Sequence, residues 1–223
     1  GVGPSLAKRQ QCRAAAYSPD PCEAVDGHAG DRYAVYEIGG WMGFLKNRGY
    51  FDLALYLSNG ENEIVEVFEA GATTNKSVGK SVHKGIEYSL KYKAFKFLSF
   101  RFSGSNALHE YVDFDEGTND FSGNEMAFAP KFIGNGGIEF KPVSGFLKGF
   151  RIGAEWQGVS EYYMDDLNTE KYAGYSIFNL RMGYGIKGFE AWLNILNVAD
   201  ELYAARVSKS YYGNPMDPII SYS

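Results

Sequence analysis

Residues 150–157 read Phe-Arg-Ile-Gly-Ala-Glu-Trp-Gln, and residues 189–196 read Phe-Glu-Ala-Trp-Leu-Asn-Ile-Leu. In the first stretch Phe150, Ile152, Ala154 and Trp156 alternate with Arg151, Gly153, Glu155 and Gln157. In the second, Phe189, Ala191, Leu193 and Ile195 alternate with Glu190, Trp192, Asn194 and Leu196. A strand sends successive side chains to opposite faces, so each stretch has one apolar and one polar face. A period of two sustained over a whole segment predicts strand rather than helix.

The same pattern repeats on both sides of these stretches. It predicts strands at about 33–45, 50–68, 78–93, 97–112, 131–141, 149–163, 175–185 and 189–198. Asn59-Gly60 is a candidate hairpin turn, but Ile64 and Val65 follow too closely for a well-formed partner, so one long strand is expected across it. Tight turns are expected at 46–49, 94–96 and 186–188, with a short connection at 142–148. Longer loops are expected at 69–76, 113–130 and 164–173. Connections thus run short, long, short, long along the chain. Outer-membrane barrels have that parity, with tight periplasmic turns and long external loops. The expected fold is all-β: an antiparallel transmembrane β-barrel wall of about eight strands over residues 32–199. Residues 1–31 read as an extracellular-type loop, and residues 200–223 as a C-terminal loop with no closing strand.

Alternation alone does not say whether the apolar face meets lipid or a dry interior. The polar face carries Arg101, Arg151, Glu155, Asn179, Arg181, Glu190 and Asn194, which suits a wet lumen. The other face is Leu, Ile, Phe, Trp and Tyr, which suits hydrocarbon. The chain has 27 Gly, 17 Tyr and 16% aromatic residues, as kinked strands and interfacial aromatic girdles require. A soluble barrel with an apolar pocket uses the same letters and stays open on this evidence. The net charge of −5 and the lack of a dense basic patch argue against a nucleic-acid partner.

Cys12 and Cys22 lie close together in a Pro-containing polar stretch. A disulfide between them is the preferred reading and implies a non-cytosolic compartment; metal ligation is the alternative. His28, His83 and His109 read as isolated. Asp113, Asp115, Asn119 and Asp120, with Gly117 for a sharp turn, form a cluster of hard oxygen donors. They make a candidate calcium site, although the spacing is not that of an EF-hand; a solvated acidic loop is the plainer reading. No catalytic pattern stands out, so no enzymatic activity is expected, and no other cofactor is expected.

Several short motifs then point to a family. Residues 189–203 (FEAWLNILNVADELY) resemble the penultimate-strand motif of TonB-dependent outer-membrane receptors, with Asn197-Val198-Ala199-Asp200 and Tyr203 in its key positions. Lys84-Gly85-Ile86-Glu87 is similar to a family strand start. Ser122-Gly123-Asn124 with Ala129-Pro130 is similar to a family loop end. Residues 175–181 (YSIFNLR) and Tyr36-Glu37-Ile38-Gly39 resemble barrel-wall strands. The resemblance implies part of a roughly 22-stranded barrel in the bacterial outer membrane, without the plug domain and the last strand. It also implies uptake of a bulky nutrient such as an iron–siderophore complex, with outer-membrane lipid around the wall and TonB acting through the plug. Loops near 113–124 and 162–172 are the expected ligand contacts, because loops on a rigid scaffold carry recognition. A self-contained eight-stranded barrel, serving as an anchor or adhesin, is the alternative.

Overall fold

The computed structural model describes residues 5–13, 31–69, 72–115, 119–204 and 207. Its elements are β1 (Ser5–Arg13), β2 (Asp31–Phe44), β3 (Gly49–Glu69), β4 (Ala72–Phe95), β5 (Leu98–Asp113), β6 (Phe132–Phe140), β7 (Phe150–Val159), β8 (Tyr162–Tyr163), β9 (Lys171–Tyr172), β10 (Tyr175–Ile186) and β11 (Phe189–Ile195). Nine strands form one antiparallel sheet in the order β1-β2-β3-β4-β5-β6-β7-β10-β11, and β8 and β9 form a separate small hairpin. Each strand of the large sheet lies beside its neighbours in sequence, as the connecting turns dictate.

Residues directly opposite in an antiparallel ladder share a face, so the registers assign the faces. One row runs Tyr92, Phe100, Ile138, Ala154, Leu180, Ile195. The adjacent row on the other face runs Lys91, Arg101, Gly137, Glu155, Asn179. On the polar face Arg101 pairs with Glu155, Arg151 with Glu190 at 3.4 Å, and Arg181 Nε donates to Asn194 Oδ1 at 2.9 Å. Apolar-face residues Ile38, Leu55, Ile138, Ile152 and Leu193 are 39–53% exposed, because no second layer among the described residues covers them.

Aromatic side chains gather at two levels of the apolar face. Near the tight turns, Phe44 stacks on Tyr92 (6.4 Å between centroids) and Phe150 lies against Tyr184 (4.8 Å). Farther up, Tyr88, Phe102, Trp156 and Phe132 form a stacked series at 6.0, 6.1 and 6.2 Å. The Phe132 ring lies where a Cβ on Gly134 would sit, 2.4 Å from it, and the Trp156 ring does the same at Gly158. These glycines keep the strand surface low enough for rings to lie flat. In β3 the apolar positions run Gly49, Phe51, Leu53, Leu55, Leu57 and give way to Asn59 and Glu61. Eight residues of strand span about 26 Å, a height suited to an outer-membrane hydrocarbon band. Above it Lys84 and Glu110 form an ion pair at 3.3 Å.

The structure corrects several boundaries. β1 occupies part of the expected loop 1–31 and pairs with β2 from Ser5↔Gly39 to Arg13↔Asp31. Its own sequence alternates weakly, and the ladder to β2 supplies the order. Residues 69–76 were expected as a loop. Instead β3 and β4 continue as a hairpin from Glu63↔Val78 to Glu69↔Ala72. Among the described residues neither strand has another neighbour beyond Glu61 and Lys80, so a two-stranded arm rises roughly 23 Å past the sheet. β9 falls within the expected loop 164–173 and pairs with β8, which takes the end of the expected strand 149–163. β3 does run unbroken through Asn59-Gly60. Cys12 lies on β1 opposite Arg32. Cys22 and most of residues 205–223 fall outside the described residues, and residues 200–204 contain no strand.

Candidate functional site

The long connections lie at the end of the sheet opposite the tight turns. Two of them, residues 114–131 between β5 and β6 and residues 160–174 between β7 and β10, build an ordered cap. The first folds on a cluster of Tyr111, Phe114, Phe121 and Met126, all at most 9% exposed. The second folds on Met164, Tyr172, Ala204 and Val207, with Tyr162 and Tyr175 packed alongside. Buried aromatics and methionines give each loop its own small apolar core, so neither loop depends on the sheet alone for order.

The loops are clasped by polar contacts. Asn168 acts as a substitute strand: its Nδ2 donates to Glu125 O at 2.7 Å, and its Oδ1 accepts from Glu125 N at 2.8 Å. Its φ of +57° lies in the left-handed region that Asn tolerates. Asp166 Oδ1 accepts from Tyr111 Oη at 2.8 Å and Ala127 N at 3.2 Å, and Asn124 Nδ2 donates to Asp166 O at 2.8 Å. Within the second loop Lys171 pairs with Glu161 at 2.6 Å and lies over the Tyr163 ring. The Lys171 hydrogen bond holds the Glu161 carboxyl below its ordinary range. The result is a preorganised surface of tyrosines and carboxylates.

The candidate calcium residues lie at the end of β5 and across the tip of the loop that follows it. Asp113 ends β5 opposite Lys80, Asp115 bridges to Asp120 across the loop tip, and Asn119 is exposed. Asp120 Oδ1 accepts from Ser122 N at 2.9 Å, and hydrogen bonds from Ser122 lower its pKa. Gly117 lies outside the described residues. Among the described residues no three His, Cys, Asp or Glu are grouped to hold a metal. Phe114 stacks on Phe121 at 4.9 Å between ring centroids, and Phe114 N donates to Ser122 Oγ at 3.1 Å.

His83 and His109 do not stand apart as their sequence separation implies. They are direct partners in the β4–β5 register, with Nδ1 atoms 2.7 Å apart. Glu63 lies 3.2 Å from His83 Nε2 and accepts from Ser81 Oγ at 2.5 Å. Asn62, with φ of +57°, turns the backbone just before Glu63. This cluster sits on the polar face above the apolar band. Burial tends to raise the Glu63 pKa, but hydrogen bonds from His83, Ser81 and Tyr33 outweigh it and lower it. Burial, reinforced by His83, lowers the His109 pKa. Only a correct β4–β5 register reveals the pair.

The comparisons with known proteins agree with this geometry. A family model described as TonB dependent receptor-like, beta-barrel, matches residues 36–198. The ferrioxamine B receptor of Salmonella typhimurium is 26% identical over 173 residues, covering 73% of this chain and 24% of the relative. The chain therefore spans about a quarter of the length of that relative. Among solved structures, the siderophore receptor PiuA from Acinetobacter baumannii superposes with a TM-score of 0.69 at 19% identity, covering 90% of this chain and 30% of PiuA. The ferric yersiniabactin uptake receptor FyuA from Yersinia pestis gives 0.70 at 14%, covering 95% and 32%. With the family match spanning residues 36–198 and most of the strands, this chain belongs to the β-barrel of the TonB-dependent receptors of the bacterial outer membrane.

Proposed function

We propose that this chain forms part of the wall and external mouth of a receptor that takes up a ferric siderophore, the plug and the energy input from TonB being supplied by the rest of the protein. The observation that carries this reading is the clasped pair of loops on the polar end of a lipid-facing wall. A transport receptor must recognise cargo outside the membrane on a surface already ordered before binding, since ordering loops at that moment costs affinity. The tyrosines and amides of the mouth suit hydrogen bonding and packing against an organic chelate. Its exposed carboxylates, Asp120 and Glu161 among them, favour a neutral or cationic chelate over an anionic one. A hydroxamate siderophore fits that description, in keeping with the relative that is a ferrioxamine B receptor. A self-contained barrel requires pairing of its first and last strands, and among the described residues β1 and β11 stand at opposite edges of the sheet without pairing to each other.

The test is uptake of radioactive iron by a strain in which the full-length receptor is the sole siderophore route. Uptake from a hydroxamate chelate, abolished by deleting residues 160–174 while the protein still reaches the outer membrane, is expected. A receptor that is present in the membrane but neither binds nor imports any of a panel of hydroxamate, catecholate and carboxylate ferric chelates would overturn the reading.

A further inference from the structure

The opposite end of the wall carries a second feature that cargo recognition does not use. Its connections are Leu45–Arg48, Lys96-Phe97, residues 141–149 and Lys187-Gly188. Each contains a cation, among them Lys46, Lys96, Lys141, Lys148 and Lys187, and none contains Asp or Glu. All five lysines are exposed, and none forms an ion pair among the described residues. The chain as a whole is acidic, so this band of positive charge reflects placement and not composition. In a barrel whose tight turns face the periplasm, the band lies level with the headgroups of the inner leaflet.

Beside it is an open groove of about 310 Å³, lined by Phe97, Phe140, Pro142, Val143, Phe146 and Leu147. Phe146 is 93% exposed and Val143 54%, a placement that water disfavours. The groove continues the membrane-facing surface. Phe140 pairs with Leu98 and Ile152 on the apolar face. A register shift between Lys93 and Phe95 brings Phe95 opposite Leu98 and so onto the same face. Phe95 stacks on Phe97 at 5.2 Å. Apolar groove and basic rim together match one kind of molecule, an amphiphile with an acyl chain and an anionic head.

The geometry points to a binding site for anionic phospholipid at the periplasmic rim. An acyl chain lies along Phe97, Phe140 and Phe146, and the headgroup phosphate is held by Lys141 and Lys148 with Lys96 nearby. This site rests on the membrane orientation of the proposed receptor but not on its cargo. Lipid retention and siderophore binding are therefore measured on the same preparation, so that either can fail alone.

The experiment is native mass spectrometry of the full-length receptor, released from mixed micelles containing equal phosphatidylglycerol and phosphatidylcholine. Retention of phosphatidylglycerol is expected to exceed that of phosphatidylcholine by roughly tenfold or more, because about two lysines meet a net negative headgroup in the first lipid and a phosphate already neutralised by its choline ammonium in the second. The double change Lys141→Gln and Lys148→Gln should bring the two lipids close to parity, while Phe146→Ser should lower retention of both. Siderophore affinity should not change in either variant. Lys96→Gln, on a separate turn, gives a milder loss of preference if the double variant fails to fold. Equal retention of the two lipids by the unmodified receptor, or a preference untouched in every folded lysine variant, would overturn the site.

Discussion

Gly137 shows how a single missing side chain organises the lumen wall. It lies on β6 between Arg101 of β5 and Glu155 of β7, and a Cβ there would approach Arg101 Nε to 2.9 Å. Without it, Arg101 crosses the intervening strand to reach Glu155. Asn168 plays a comparable role at the mouth. Asn168→Ala removes both hydrogen bonds to Glu125 and strains an alanine in the left-handed region, for a local cost of about 1–3 kcal/mol. Asn168→Gly loses the same bonds without the strain. Hydrogen exchange of residues 124–128 in the full-length receptor should rise in both, and more in the alanine variant; unchanged protection in Asn168→Ala would remove the clasp from the argument. The histidine pair gives a pH prediction. His109 titrates below the ordinary histidine value of 6.5, so unfolded chains bind its proton more readily than folded ones. Its contribution to local stability is therefore complete above that value and is lost as pH falls through it toward the folded pKa. In His83→Gln, carbon-13 histidine spectra should show His109 titrating at higher pH than in the unmodified receptor, because the electrostatic effect of His83 that adds to burial in lowering the His109 pKa is removed. Titration at the same pH would mean the two imidazoles do not interact.

At the scale of elements, alternation made the eight central strands legible because each has one face in lipid and one in a polar lumen. Residues 150–157 and 189–195 are clear in sequence for that reason. What escaped reading depends on partners distant in the chain. β1 is held by its ladder to β2, and the arm formed by β3 and β4 by mutual pairing beyond Glu61. His83 and His109 meet only through register. The mouth was legible as loops, but not as loops with cores, since Phe114, Phe121 and Met126 look like scattered apolar residues until they close on Tyr111. The assignment of faces is testable on β11. Leu193 stands on the apolar face about four residues above the tight turn, and Asn194 Oδ1 accepts a hydrogen bond from Arg181 Nε on the other. Leu193→Arg should cost ~2–4 kcal/mol near the bilayer midplane, and Asn194→Arg much less. Folding titrations of the full-length receptor into lipid vesicles measure the difference, and equal penalties would reverse the assignment of lumen and lipid.

At the scale of the whole molecule, the open edges set the terms. Among the described residues β1 and β11 each have one neighbour in the sheet. Among the described residues no strand pairs with the outward edge of β11, which lies at membrane depth. An unpaired peptide group in hydrocarbon costs several kcal/mol, and a strand edge presents a row of them. No arrangement of side chains offsets that, because the apolar face is already turned to lipid and the polar face to the lumen. Membrane insertion of this wall must therefore coincide with closure against further strands. The relatives have room for them, since the chain covers only 24% of the ferrioxamine B receptor and 30% of PiuA. Expressed alone and refolded with lipid vesicles, residues 1–223 should give no protease-resistant monomer and no heat-modifiable band on a gel, while the full-length receptor gives both. Self-pairing of edges would instead yield oligomers or aggregates. A compact, protease-resistant monomer of the isolated chain would show that the wall closes on itself, and would restore the eight-stranded anchor as the better account of the protein.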